Sequence, residues 1–248
     1  MTADRLRAAV AERVAAVRAE IATAARAAAR DPASIRIVAV TKTLPPEAAL
    51  AALAAGLGDL GENYVQEGRL KRLAVEGRCA WHLIGGLQRN KVRAAVAVFD
   101  RLHTLDSDAL AVALGAAMVD TGRRLPVLIQ VNLWGEATKR GVPPDRVLSL
   151  AKTVVRQPGL ALDGLMGVPP PAARPEASRP HFRLLREVRD RTASGLGVEL
   201  PHLSMGMSDD FTVAVEEGAT WLRLGRALFG ARGPGAWRPG SSAGGQGS

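Results

Sequence analysis

Cysteine, charge-free apolar runs and metal-ligand clusters are all scarce in this chain of 248 residues. The single cysteine, Cys79, excludes an internal disulfide and is typical of a reducing compartment. No apolar run of about 18 residues is free of charge, so we expect no membrane span. Charges also interrupt every apolar stretch near the N-terminus, which argues against a signal peptide and favours a cytoplasmic protein. Cysteine and histidine nowhere show zinc-ligand spacing.

Aromatic residues are also few, with four phenylalanines and one tyrosine available for stacking on bases. The formal net charge of +9 is otherwise typical of nucleic-acid binding. The basic residues are scattered, however, and arginine replaces lysine throughout, which indicates a general compositional bias. We therefore expect a small anionic ligand rather than nucleic acid, and keep a basic nucleic-acid-binding module as the weakest hypothesis.

Lysine is scarce too, since five lysines stand against 28 arginines. One of them, Lys42, ends an apolar, β-branched run that starts at Ile35 and breaks at Pro45. The run shows no alternation, so both faces of this strand should be buried, as in a parallel sheet. A lysine is costly to desolvate there unless its amine is paired or is used, neutral, as a nucleophile. A snorkelling lysine at a strand end is the equally weighted alternative.

Short apolar segments alternate with helical ones from residue 35 onward, after an Ala/Arg-rich amphipathic helix over residues 1–30. The eight predicted strands are Ile35–Lys42, Asp59–Asn63, Trp81–Gly85, Arg101–Leu105, Val127–Leu133, Gly164–Val168, His202–Gly206 and Trp221–Leu224. The predicted helices between and after them are Pro46–Ala55, Tyr64–Val75, Lys91–Phe99, Asp108–Val119, Pro144–Val155, Pro180–Arg191 and Asp209–Glu217.

This alternation predicts an α/β protein built as a single (β/α)8 barrel with an extra N-terminal helix, at the usual size for that fold. A doubly wound open sheet is the alternative, but no G-x-G-x-x-G or P-loop pattern follows the first strand. The barrel domain should span residues 1–232. Residues 233–248, rich in Gly and Ser, are expected to be disordered and dispensable, because they have too few apolar groups to offset the entropy of ordering.

The carboxyl ends of all strands in such a barrel open on one face, where active sites lie. The first strand brings Lys42 to this face and the eighth brings Arg223. Ser208, after the seventh strand, offers a hydroxyl near a helix start. Gly225, after the eighth strand, permits a close backbone approach. Loops after strands 7 and 8 of barrels often bind phosphate; an ordinary Ser cap and a packing glycine are the plainer alternative.

A lysine amine, a phosphate cradle and an arginine on the last strand together suit pyridoxal 5′-phosphate (PLP), whose aldehyde and phosphate lie at opposite ends. Arginine is one of the two known kinds of partner for the ring nitrogen of PLP. Because arginine stays protonated, it donates to that nitrogen and disfavours its protonation. The ring would then be a weaker electron sink, held firmly but not strongly activated for general amino-acid chemistry.

At these positions the chain closely resembles the pyridoxal phosphate homeostasis protein family, single-domain relatives of the alanine racemase barrel. The matching motifs are AVTKT at 39–43, GENYVQE at 61–67, WHLIGGLQRNK at 81–91, QVNLWGEATKRG at 130–141, GLM at 164–166, LSMGMSDD at 203–210 and RLGRALFG at 223–230. The resemblance covers roughly residues 1–232 and implies a barrel of PLP fold type III. It implies Lys42 as the Schiff-base lysine, with Asn63 near the cofactor ring and Arg223 at the pyridine nitrogen. The phosphate would lie at Ser208, Gly225 and the backbone of Arg226.

Three positions depart from the pattern of the family. Gly86 stands where proline is usual, which we expect to loosen the third loop. Arg89 stands where serine is usual and alters the charge near the barrel mouth. Arg226 stands where threonine is usual, so a hydroxyl contact is lost and the backbone amide is left to bind phosphate.

The resemblance implies a PLP carrier or regulator that holds the cofactor on Lys42 and acts in vitamin B6 homeostasis and amino-acid balance. Its partners would be PLP and candidate PLP-accepting enzymes. Racemases need a base on each face of the substrate and take the second from another domain or subunit. No second domain follows this barrel, so we expect a monomer without robust turnover. The alternative is a PLP-dependent racemase or lyase with His82 or Tyr64 as the opposing base.

Overall fold

The computed structural model describes residues 2–75, 79–136, 138–231 and 237. Eight parallel strands pair in chain order and close into a barrel, since the eighth strand pairs with both the seventh and the first. The strands are β1 (Arg36–Val40), β2 (Asp59–Glu62), β3 (Ala80–Leu83), β4 (Arg101–Leu105), β5 (Leu125–Val131), β6 (Leu160–Gly167), β7 (His202–Ser204) and β8 (Trp221–Leu224). The predicted (β/α)8 barrel is therefore confirmed.

Helices surround the strands. They are α1 (Ala3–Ala27), α2 (Pro46–Ala54), α3 (Val65–Ala74), α4 (Val92–Val98), α5 (Asp108–Met118), α6 (Val147–Val155), α7 (Arg179–Leu196), α8 (Phe211–Glu216) and α9 (Arg226–Phe229). Helix α1 is the predicted extra helix, and it begins where the Thr2 hydroxyl accepts a hydrogen bond from Arg5 N. It buries a stripe of apolar residues, including Val10, Val14 and Val17, and it packs against α2, α8 and α9.

The barrel has an apolar exterior and a polar interior. Leu60, Trp81 and Leu83 belong to the main apolar core between strands and helices. Because side chains alternate across a strand, His82 lies on the opposite face from Trp81 and Leu83, inside the barrel. There its ring lies 4.6 Å from the ring of Trp221, centroid to centroid. The interior therefore contains polar side chains that pack around Trp221.

The observed strands differ from the predicted strands mainly in the residues at which they begin and end. Strand β1 ends at Val40, so Lys42 lies in the loop beyond it rather than on the strand. Strand β6 begins at Leu160, four residues before the predicted start, because Leu160–Leu162 pair with β5 ahead of a register shift at Asp163. The short helix α9 was not predicted, since four residues carry no periodic signal.

The segment 233–248, predicted to be disordered and dispensable, lies outside the described residues except for Trp237. The backbone N–H of Trp237 donates to Thr43 O at 3.0 Å. Its indole ring lies over Lys71, with Nζ 5.2 Å from the ring centroid. At this one position the tail therefore contacts the loop that carries Lys42.

Two kinds of feature are absent from the residues that the structure describes. Among these residues, no helix combines the length and apolarity needed to cross a membrane. Nor do the described His, Cys, Asp and Glu side chains form a group of three or more that could hold a metal ion.

Candidate functional site

A cavity of about 330 Å³ lies at the carboxyl-terminal face of the barrel, within the size range typical of small-molecule sites. It is lined by Val40, Lys42, Asn63, Ile84, Val168, Met207, Ser208, Asp209, Arg223, Gly225 and Arg226. All six residues that the sequence nominated for ligand binding are in this lining. The topology explains their meeting, because parallel strands bring their carboxyl ends to one face of the barrel.

A second cavity of about 400 Å³ adjoins the first under the proline-rich loop after β6. The two share Val168, Met207 and Asp209 in their linings. The second cavity is lined largely by loop residues 168–175 and includes no lysine. Amine chemistry therefore belongs to the first cavity, where Lys42 lies.

The peptide groups on both sides of Lys42 are held by side chains from α3. Lys71 Nζ donates to Thr41 O at 2.6 Å, and Thr43 N donates to Glu67 Oε2 at 2.8 Å. Thr43 has a φ of +59°, a left-handed conformation that is uncommon for a β-branched residue. These contacts fix the backbone from which the half-buried Lys42 side chain extends into the cavity.

Lys71, Glu62 and Glu67 form a buried ionic cluster behind this loop, which we call the α3 clamp. Lys71 Nζ lies 2.6 Å from Glu62 Oε1 and 3.5 Å from Glu67 Oε2, and the Lys71 side chain is fully buried. Burial raises the pKa of Glu62 to about 7, against the opposing effects of Lys71 and of the Thr41 hydroxyl. Its buried Oε2 has no hydrogen-bond partner among the described residues.

The sequence analysis did not predict the α3 clamp, although Glu62 and Glu67 fall in the GENYVQE motif. The available signal was a Glu–Lys pair four residues apart, Glu67 and Lys71, on a predicted helix. That spacing usually marks a solvent-exposed pair, so it gave no indication of burial. The sequence predicted that desolvation would be costly at Lys42, but the lysine whose side chain is fully buried is Lys71.

Arg223 lies on β8 with its guanidinium fully inside the barrel. Its Nη1 donates to Ser204 Oγ at 2.6 Å and its Nη2 donates to Gly167 O at 2.9 Å. Burial lowers the pKa of Arg223 to about 10, an effect that Asp210 opposes, so the group stays cationic near neutral pH. A guanidinium has five N–H donors, and these two bonds leave others for a ligand in the cavity.

The loops after β7 and β8 meet at the opposite part of the cavity lining. Ser208 Oγ accepts a hydrogen bond from Ala227 N at 3.0 Å, so this serine links the loop after β7 to the first turn of α9 and does not cap α8. Gly225 is the residue that precedes α9. The side chain of Arg226 is exposed and pairs with Asp209, and both residues belong to the cavity lining.

Asn63 follows β2 and is held by close backbone packing. A Cβ placed on Gly85 would lie 2.2 Å from Asn63 O, so the loop after β3 must have glycine at this position. Thr104 supports the same loop, because its hydroxyl donates to Gly85 O at 2.8 Å. The Asn63 side chain lines the cavity from this fixed backbone.

Known proteins resemble this chain over most of its length. The family model described as alanine racemase, N-terminal domain, matches residues 13–233. Pyridoxal phosphate homeostasis protein from Pseudomonas aeruginosa is 44% identical over 229 residues, which is 92% of this chain and 97% of the relative. The chain belongs to the pyridoxal phosphate homeostasis protein family.

Two further relatives match the chain over most of its length. The homeostasis protein from Aquifex aeolicus is 41% identical over 222 residues, covering 89% of this chain and 97% of the relative. The structure of PipY from Synechococcus elongatus PCC7942 with PLP bound superposes with a TM-score of 0.79 at 34% identity. That match covers 89% of this chain and all of PipY, so the fold is that of a whole family member.

The departures from the usual pattern of the homeostasis family have specific surroundings. A Cβ on Gly86 would lie 1.3 Å from Arg140 Nη1, so the Arg140 side chain occupies the space beside this glycine. Arg89 begins a short 3-10 turn before α4 and is exposed. Arg226 pairs with Asp209, as described above. The arginines at positions 89 and 226 are therefore surface groups.

Neither candidate for an opposing base lines the cavity of this homeostasis-family chain. His82 is fully buried and bonds Asp59 and His103. Tyr64 precedes α3 and is 56% exposed. Asn132, directly after β5, closes its own loop by donating to Glu136 O at 2.7 Å.

Proposed function

We propose that this protein binds PLP in the cavity at the barrel mouth, holds it as a Schiff base on Lys42, and acts in PLP homeostasis and amino-acid balance. The observation that carries the proposal is the meeting of Lys42, Arg223 and Ser208 in one cavity. Relatives named for pyridoxal phosphate homeostasis, and PipY solved with PLP bound, support it.

The residues present fit the chemistry of PLP. The cofactor has an aldehyde, a ring nitrogen that accepts hydrogen bonds, and a phosphate dianion. The lining offers an amine at Lys42, a charged donor at Arg223, and a hydroxyl at Ser208 beside the backbone of Gly225. The volume of about 330 Å³ suits one small molecule.

Each residue has a distinct part in this proposal. Lys42 would supply the amine that holds the aldehyde end of PLP as a Schiff base. Arg223 donates to the ring nitrogen, and Asn63 lies beside the ring. Ser208 and the backbone at Gly225 and Arg226 bind the phosphate through neutral donors.

A carrier or regulator is favoured over the alternative of a PLP-dependent racemase or lyase. A racemase needs a second base opposite the lysine, and neither His82 nor Tyr64 lines the cavity. A cationic Arg223 also keeps the ring nitrogen unprotonated, which weakens the ring as an electron sink. We propose that the protein works in the cytoplasm as a monomer, with PLP-accepting enzymes as its partners.

The test is an absorption spectrum of the purified protein with PLP added and the excess removed. The wild type should show a visible band that borohydride abolishes, and mass spectrometry should then place the reduced adduct on Lys42. Lys42→Ala should lack the band, while Lys152→Ala, a change at an exposed lysine on α6, should retain it. A band that survives in Lys42→Ala, or no band in the wild type, would overturn the proposal.

A separate assay distinguishes the carrier from the enzyme. The PLP-loaded protein is incubated with amino acids, and both racemisation and loss of the amino acid are followed. No steady-state turnover is expected. Turnover that is lost on replacing Tyr64 or His82 would support the enzyme alternative instead.

A further inference from the structure

A continuous chain of hydrogen bonds runs through the barrel interior from Arg223 to the opposite end. Arg223 Nη1 lies 2.6 Å from Ser204 Oγ, which lies 2.9 Å from His103 Nδ1. His103 Nε2 lies 2.9 Å from His82 Nδ1, and His82 Nε2 lies 3.0 Å from Asp59 Oδ1. We call these five residues the interior relay.

Asp59, at the far end of the interior relay, is an ionised carboxylate. Burial raises its pKa, but the hydrogen bond from His82 and the nearby charge of Arg36 outweigh that effect, so the net pKa is lowered. Arg36 Nε and Nη2 each donate to this carboxylate at 2.9 Å. An ionised carboxylate only accepts hydrogen bonds, so His82 must carry a proton on Nε2.

The position of every other proton follows from that of His82. Burial lowers the pKa of both histidines, so both are neutral at physiological pH. A neutral His82 protonated at Nε2 can only accept at Nδ1, so His103 donates from Nε2 and accepts at Nδ1. Ser204 then donates to His103, and its oxygen accepts from Arg223. The interior relay therefore has one consistent direction, from the guanidinium to the carboxylate.

This direction connects a buried cation to a distant carboxylate. Across the described residues, Arg223 has no carboxylate within ion-pair distance, its hydrogen-bond partners are Ser204 Oγ and Gly167 O, and the charge of Asp210 favours the cation from farther away. A buried charge without compensation is costly. Hydrogen bonds in a chain polarise one another, so the charge of Asp59 makes Ser204 Oγ a stronger acceptor for the guanidinium.

We propose that His103 and His82 are positioning residues for Arg223, holding its guanidinium charged and oriented toward the ring nitrogen of a cofactor in the cavity. The inference rests on the proposed binding of PLP. His82 and His103 do not line the cavity, yet through Arg223 they would influence the electronic state of the bound ligand.

The first test uses the PLP-free protein labelled with 15N in histidine. NMR should show both His82 and His103 as neutral and protonated at Nε2 at pH 7. Either ring protonated at Nδ1 would break the directed chain and overturn the proposal. This measurement is independent of whether the protein binds PLP.

The second test follows PLP labelled with 15N at the ring nitrogen. His103→Leu removes the acceptor for Ser204 and the donor to His82, so the ring-nitrogen signal should shift and PLP retention should fall roughly tenfold, as expected for losing one charged hydrogen bond. His103→Gln, which keeps one amide acceptor and one amide donor, should restore both. His202→Leu is the matched control, because His202 also packs on Trp221, at 5.0 Å, but lies outside the interior relay.

Ser204→Ala provides a second break in the interior relay should His103→Leu fail to fold. It removes the acceptor for Arg223 and should shift the ring-nitrogen signal in the same direction. If PLP binds to either variant with an unchanged ring-nitrogen signal, the inference is wrong and the proposed function stands. If the wild type takes up no PLP, the proposed function itself is wrong.

Discussion

Replacing Lys71 with methionine tests the α3 clamp behind the Lys42 loop. Methionine has a similar length but no charge, so Lys71→Met leaves Glu62 buried without its cation and removes a donor from Thr41 O. Removing one partner of a buried ion pair typically costs about 3–5 kcal/mol. We expect the free energy of unfolding at pH 8 to fall by about that amount.

The cost should depend on pH in a direction set by Glu62. Its pKa in the folded protein is about 7, above its ordinary value of 4.5, so the folded state binds this proton more tightly than the unfolded state. Stability from this group is therefore fully present below pH 4.5 and is lost as the pH rises through 7, by about 3 kcal/mol across the interval. The deficit of Lys71→Met should accordingly shrink at pH 5, where Glu62 takes up a proton.

Urea denaturation followed by tryptophan fluorescence at pH 5 and pH 8 measures these effects. Lys71→Met with Glu62→Gln should regain at least about 2 kcal/mol at pH 8, because no uncompensated carboxylate remains at position 62. Arg72→Met is the control on the same helix, since its pair with Asp100 is partly exposed and should be worth about 1 kcal/mol or less. A cost for Lys71→Met below 1 kcal/mol at pH 8, or a larger cost at pH 5, would refute the reasoning.

Two further predictions concern the cavity lining. Gly85→Ala should destabilise the protein by about 1–3 kcal/mol and weaken PLP retention, because its Cβ would lie 2.2 Å from Asn63 O, whereas Gly58→Ala has no neighbour within 4 Å and should not. Equal urea midpoints for these two variants would contradict this account. Arg226→Thr should change PLP affinity less than threefold and stability by less than about 0.5 kcal/mol, because the Arg226 side chain makes an exposed pair with Asp209. A larger loss of affinity, measured by equilibrium dialysis, would assign the arginine side chain a phosphate contact.

The barrel itself was predictable from the sequence because its signals are local. Strands β4 and β8 were predicted with the bounds that the structure shows. Strand β6 was predicted too short because its start depends on pairing with β5 across a register shift, which no local pattern records.

The candidate cavity was also predictable, although the roles of its residues stay predictions. Lys42 and Ser208 follow different strands and Arg223 lies near the end of a third, and the carboxyl ends of parallel strands in a barrel lie on one face. The family motifs added Asn63 and the phosphate loops. Chain order and strand direction alone were therefore enough to bring these residues to one face.

Tertiary structure alone decided which charges are buried and how they are compensated. His82 and His103 are 21 residues apart and His103 and Ser204 are 101 apart, yet each pair is hydrogen bonded inside the barrel. Lys71, which helical spacing alone would place at the surface, is the fully buried lysine. The sequence by itself determined the order of strands and the face on which Lys42 lies. The pairing of polar groups depended on closure of the barrel, because only closure removes water and makes each buried donor require a partner.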